Sequence, residues 1–115
     1  MRAISVMAHQ DDELMCLGTM LKLKNMGYDL GFVCLTDGSK GIGDPLGLSR
    51  EEAASIRRAE MLGLTQELNA PYICLEEADE FLFDSPQLRM KLLDALRLLE
   101  ADVIFTHFTS DYNLD

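Results

Sequence analysis

Residues 6–15, VMAHQDDELM, set one histidine and three carboxylates directly behind a short apolar run. His9 and Asp12 stand three residues apart where a strand would give way to a helix. One turn of chain there can bring an imidazole nitrogen and a carboxylate oxygen to a common point. Nitrogen and oxygen donors suit zinc and related divalent transition metals, and a catalytic zinc site takes three protein ligands with one position left for water. Asp11, held off the metal but close to that water, would take its proton during attack. The plainer reading is that Asp11 and Asp12 cap the helix and complement its dipole, and for Glu13 such a role is favoured. His9 alone is explained equally well as a hydrogen-bonded polar histidine. Its pairing with Asp12 shifts the balance toward a ligand.

The elements that must position these groups alternate along the chain. Residues 3–8 read as a short β-type run, and residues 13–26 as a helix with Leu14, Leu17 and Leu21 on one face and Gly27 as its stop. Residues 30–36, LGFVCLT, read as a strand covered on both faces. The glycine-rich residues 37–47 lack the G-x-G-x-x-G spacing of a dinucleotide site and are expected to be a mobile lid. Ser49 and Glu52 have capping-box spacing, opening a helix that runs to about residue 64 or 68, with Gly63 leaving its end open. Residues 71–75, PYICL, form a third strand. Ser85 and Pro86 start another helix with Leu88, Leu92, Leu96 and Leu99 as its stripe. Residues 102–107, DVIFTH, form a fourth strand.

This order predicts an α/β fold, a parallel sheet with helices on both faces. Ligands in such sheets sit beyond the carboxyl ends of the strands, where strand order reverses. With the first and fourth strands as neighbours there, HQDDE and THFTSDYNLD face each other.

At 115 residues the chain reads as a single domain, residues 1–115. Its net charge of −10 would repel nucleic acid and anionic membrane surfaces. No apolar run is long enough to span a bilayer, and residues 3–8 are too short for a signal-peptide core. Cys16, Cys34 and Cys74 are odd in number and form no CxxC pair, which favours reduced thiols and a cytoplasmic location.

AHQDDE resembles the A-H-P-D-D-E signature of the LmbE-like, or N-acetylglucosaminyl-phosphatidylinositol de-N-acetylase (PIG-L), family. LTDGSKG, IRRAEMLGL and DVIFTHFTSDYNLD resemble later stretches of that family in order, so the likeness covers nearly the whole chain. It implies a Rossmann-like three-layer α/β/α fold and a zinc-dependent hydrolase that removes N-acetyl groups from amino sugars or related amines. Carried over by position, His9 and Asp12 become metal ligands, Asp11 the general base, and Arg57 a substrate-binding residue, with Arg58 a close competitor. A solvated helix face with an Arg57–Glu60 pair is the competing reading for Arg57. Asp37 is placed at the pocket edge, where a turn former beside Gly38 is an equal alternative. Asp111 and Asp115 would brace ligands.

Two departures from the family pattern stand out. Gln10 replaces the usual proline, and Asn113 stands where many members carry a second histidine; it can donate to an oxyanion but supplies no proton. The family's third ligand, a histidine, is expected just beyond Asp115, which reads the chain as an incomplete, truncated domain. His107 is read as a polar contact rather than a replacement ligand, and Tyr112 as packing. An open fourth-strand edge would favour homo-oligomers. The alternatives are a magnesium-binding receiver or phosphotransfer domain, in which His9 would have no role, and a catalytically incomplete fragment.

Overall fold

The computed structural model describes residues 1–111, 113 and 115, and the side chains of all of these except Gly43 and Asp44. Four strands, β1 (Arg2–Met7), β2 (Asp29–Thr36), β3 (Tyr72–Glu77) and β4 (Val103–Thr106), form one parallel sheet in the order β3-β2-β1-β4. Four helices connect or follow them: α1 (Leu14–Asn25), α2 (Gly43–Leu46), α3 (Arg50–Glu67) and α4 (Pro86–Leu98). Strand order steps outward from β1 through β2 to β3 and then returns to β4 on the other side of β1. The reversal point therefore lies between β1 and β4, as the alternation predicts.

Period-two side chains on β1 and β2 divide the core into two layers. Ile4, Val6, Val33 and Leu75 pack against Leu88, Ala95 and Leu99 from the α4 side. Ala3, Leu30, Phe32 and Cys34 pack against Met20 of α1 and Met61 of α3 on the opposite face. Helices on both faces explain why the central strands are buried almost throughout. The capping box forms: Glu52 N–H donates to Ser49 Oγ at 3.2 Å and Ser49 N–H donates to Glu52 Oε2 at 2.8 Å. Ser85 caps α4 by accepting from Leu88 N–H at 3.1 Å, with Pro86 at the first helical position.

One local expectation is corrected. Leu14 and Leu21 of α1 are exposed, and the helix buries Met20, with Cys16, Leu17 and Leu23 partly covered beside it. The 16-20-23 spacing defines the inward face, one step around from the leucine stripe. Residues 37–47 hold a 3-10 turn at Ser39–Gly41 and the short α2, and Lys40 N–H donates to Asp79 Oδ2 at 2.8 Å.

Gly31 faces Ile4 across the β1–β2 register, and a Cβ there would lie 2.6 Å from Ile4 Cδ1. Ile4 is fully buried and cannot swing out. Gly31→Ala is expected to destabilise the fold by about 1–3 kcal/mol, read by urea or thermal unfolding. Unchanged stability would contradict this close approach.

Candidate metal centre

The loop between β1 and α1 is pinned on both flanks before any side chain acts. Ala8 C=O accepts from Thr36 N–H at 3.0 Å and from the Thr36 hydroxyl at 2.8 Å. Ala8 N–H donates to His107 Nε2 at 2.9 Å. His9 therefore leaves the sheet at the β1/β4 reversal with its backbone fixed by β2 and by the residue after β4.

No side chain of these acids makes a capping bond to α1. Its N-cap is Glu13, with no side-chain capping bond. Asp12 instead turns back, and its Oδ2 accepts from His9 N–H at 3.0 Å. Asp11 adopts φ +87°, a left-handed conformation that costs a non-glycine residue about 1–3 kcal/mol. Its carboxylate stands in solvent, with Oδ2 3.6 Å from Arg57 Nη2. Glu13 is buried rather than solvated, and burial pushes its carboxyl pKa up.

His9 is held from two sides. Its Nε2 lies 2.8 Å from Asp115 Oδ2 and 3.1 Å from Asp79 Oδ1, and its Nδ1 lies 3.4 Å from Asp12 Oδ2. Burial opposes charge on the ring, but the Asp115 hydrogen bond and the surrounding carboxylates outweigh it and raise the His9 pKa. Burial likewise works against the Asp115 carboxylate, yet His9 and the N–H groups of Leu82 and Glu80 bring its pKa below the usual range.

This arrangement tests the residues against a metal ion. Ionised Asp115 and Asp79 only accept, so a neutral His9 carries its proton on Nε2. Nδ1 then aims a lone pair at an Asp12 oxygen. Two acceptors facing each other call for a cation or a second proton between them. On a tetrahedral ion with bonds of ~2.0–2.2 Å, donor atoms lie about 3.4 Å apart, which matches the Nδ1–Oδ2 separation. His9 and Asp12 thus fit a zinc-type ion. A second donor set shares the ring: His9, Asp79 and Asp115 offer atoms within 4.8 Å of one another. That side is already committed. Asp79 Oδ2 accepts from Lys40 N–H, and Asp115 accepts from Glu80 N–H at 2.8 Å and Leu82 N–H at 3.1 Å. It better suits orienting the ring than chelating.

The remaining predicted residues spread around two clefts. Asp111, Asn113 and Asp115 line a cleft of about 550 Å³ with His9, Asp12 and His107. Asn113 Oδ1 accepts from Asp115 N–H at 2.9 Å, which leaves its Nδ2 as the donor end. Asp111 Oδ1 accepts from Asn113 N–H at 3.2 Å, a bond within its own loop rather than to His9 or Asp12. Arg57 and Asp11 border a smaller cleft of about 230 Å³ on the other side of His9 and Asp12. Arg57 is largely buried, unlike Arg58, which is half exposed and paired with Glu76. Arg57 does form the Glu60 pair, at 3.2 Å, but it also donates to Gln10 C=O, so it is more than a solvated helix face. Asp37 lies outside both clefts. It is buried, accepts from Arg50 Nε at 2.6 Å, and lines a separate cavity of about 410 Å³. Tyr112 lies outside the described residues.

Asp79 was not anticipated. Its signal was available: it follows β3 on the carboxyl side of the sheet, where ligand-facing loops gather. EEADE, however, offers several acids with no spacing to single one out. His107 lies nearer the centre than expected, with Nε2 3.3 Å from Asp12 Oδ2, yet it spends that nitrogen on Ala8 N–H.

Among solved structures, N,N'-diacetylchitobiose deacetylase from Pyrococcus horikoshii, complexed with its inhibitor MPG, superposes with a TM-score of 0.84 at 30% identity, over 98% of this chain and 44% of that one. A conserved protein from Thermus thermophilus gives a TM-score of 0.75 at 33% identity, over 96% and 48%. GalB, the 4-carboxy-2-hydroxymuconate hydratase from Pseudomonas putida, gives 0.86 at 23% identity, over 98% and 50%, a likeness of fold. The chain spans about half the length of these structures. No curated protein matches it by sequence. The PIG-L family model, GlcNAc-PI de-N-acetylase, matches residues 4–115. That span takes in nearly the whole sheet and the loop carrying His9, Asp11 and Asp12: the chain belongs to the PIG-L family.

Proposed function

We propose that the protein serves as a zinc-dependent hydrolase that removes an N-acetyl group from an amino sugar or a related small molecule. The observation that carries this reading is the convergence of His9 Nδ1 and Asp12 Oδ2 at 3.4 Å, with the Asp11 carboxylate on the adjacent residue. The family and the P. horikoshii deacetylase support a deacetylase-type hydrolase. We read residues 1–115 as part of one such domain, in the cytoplasm, where the free Cys16, Cys34 and Cys74 would stay reduced.

His9 and Asp12 would hold the ion as two of its ligands. The family pattern expects the third, a histidine, directly after Asp115, whose carboxylate already lies against His9. Zinc in such a site lowers the pKa of water and polarises the scissile carbonyl. Asp11 accepts the proton of the attacking water on its carboxylate and returns it to the departing amine, so that amide and water become acetic acid and free amine. Asn113, in the cleft shared with His9 and Asp12, would donate its side-chain N–H to the oxyanion. Asp79 and Asp115 hold the His9 ring in one tautomer, and Arg57 gives the pocket wall a fixed positive charge beside Asp11.

Asp11→Asn is expected to lower acetate release from N-acetylated amino sugars by about 10²–10⁴-fold with zinc retained; unchanged turnover removes Asp11 as the base. His9→Ala and Asp12→Ala are each expected to abolish stoichiometric zinc, measured by metal analysis after dialysis, whereas Asp79→Asn weakens zinc affinity by about 10–100-fold. Full zinc content in His9→Ala would refute the donor pair. Because the His9 pKa is raised, its proton stabilises the metal-free fold fully below pH ~6.5, and that contribution is lost as pH rises through the folded-state value. Zinc binds the neutral ring, so its affinity is expected to climb across that window. A flat affinity between pH ~6 and 8 would contradict this.

A further inference from the structure

Gln10 occupies the turn between the proposed donors His9 and Asp12, yet its side chain leaves the site and runs under the sheet. It is 2% exposed. Its Nε2 donates to Thr36 C=O at the end of β2 at 3.0 Å and to Tyr72 Oη at the start of β3 at 3.2 Å. Its backbone C=O accepts from Arg57 Nη2 of α3. One residue of the loop therefore ties together β2, β3 and α3.

The far end of this side chain is fitted against Gly38. A Cβ on Gly38 would lie 2.0 Å from Gln10 Oε1 and 3.2 Å from Arg57 Nε. Those two atoms, an acceptor and a donor, are both buried without a hydrogen-bond partner among the described residues. Gly38 has φ +66°, so its backbone also favours glycine. The amide oxygen and the guanidinium nitrogen thus share a gap that exists because residue 38 has no side chain.

We propose that Gln10 is a positioning residue. With Gly38 and Arg57 it forms a buried brace that holds the His9–Asp12 turn, including the left-handed Asp11, in its strained conformation. A turn of this shape needs an external tie, because Asp11 would otherwise relax toward negative φ and carry its carboxylate away from Arg57. Proline at this position, as in the family signature, would stiffen the turn through its own ring. Here a glutamine achieves the constraint by reaching across to two other strands. The inference concerns the loop's geometry; its consequence for metal and turnover rests on the proposed function.

The test compares Gln10→Met, which keeps volume but drops the amide, with Gly38→Ala and the double variant. Native-state hydrogen exchange is read residue by residue in the metal-free protein. The amides of Asp12 and Leu14 close the turn, bonding to His9 C=O at 3.4 Å and Asp11 C=O at 3.1 Å. Each single variant is expected to speed their exchange about tenfold while the β1 and β2 amides stay protected, because Gln10→Met removes the amide bonds to Thr36 and Tyr72 and a Cβ on residue 38 displaces the same amide, opening the turn locally. The double variant is expected to add little to either single one, since both break the same brace. Unchanged exchange in the turn, equal acceleration across the strands, or full additivity would each overturn the proposal.

Zinc titration of the same proteins provides a second readout, with about tenfold weaker binding expected in Gln10→Met. Wild-type affinity in a variant whose turn has loosened would overturn the link from brace to ligands. Failure of the wild-type protein to bind zinc or release acetate would instead reject the proposed function, and the exchange data would still decide the brace.

Discussion

Everything at the candidate centre follows from one imidazole placed between acceptors on both edges. His9 has carboxylate oxygens at 2.8 and 3.1 Å from one ring nitrogen and at 3.4 Å from the other. A neutral ring carries only one proton and cannot satisfy both edges. The arrangement is therefore stable with a second proton or with a cation, and a shift between those states is what metal binding near neutral pH requires. The raised His9 pKa and the lowered Asp115 pKa express the same tension from its two ends.

That tension depends on topology. The strand order β3-β2-β1-β4 brings the end of β1 beside the end of β4, so Ala8 N–H reaches His107 and residues near 115 reach His9. Sequence distances of about a hundred residues are closed by two adjacent parallel strands. Asp115 then ties the loop after β3 to the same ring through Glu80 and Leu82 N–H. Three loops from three strand ends are thereby fastened at one histidine. Fixing them in this way reduces the reorganisation needed when an ion or substrate arrives.

The strands and the starts of α3 and α4 were legible in the sequence because they rest on local signals, and the facing of the two polar loops because strand–helix alternation implies a parallel sheet with a reversal point. Alternating apolar runs, Ser49 with Glu52, and Ser85 with Pro86 each act within a few residues. The inward face of α1 was less legible. Leu14, Leu17 and Leu21 suggest a stripe, but Met20 fills the space left by Ala3 and Phe32, a choice set by partners far along the chain. Asp79 and the burial of Gln10 were hidden for the same reason. An acid among the acids of EEADE, or a polar residue in a polar turn, gains meaning only from what lies across the sheet. Asp37 is both: its Oδ1 accepts from Ser39 N–H at 3.1 Å, the turn that the glycine beside it suggested, while its Oδ2 accepts from Arg50, which no local pattern encodes.

The most direct test of this account is the ring-nitrogen NMR of His9, with the protein isotopically labelled and titrated with zinc. The account predicts that Nδ1 takes on the shift of a metal-bound nitrogen while Nε2 keeps its proton, still donating toward Asp115 and Asp79. Coordination through Nε2 with loss of that proton, or two ring nitrogens indifferent to zinc, would contradict it.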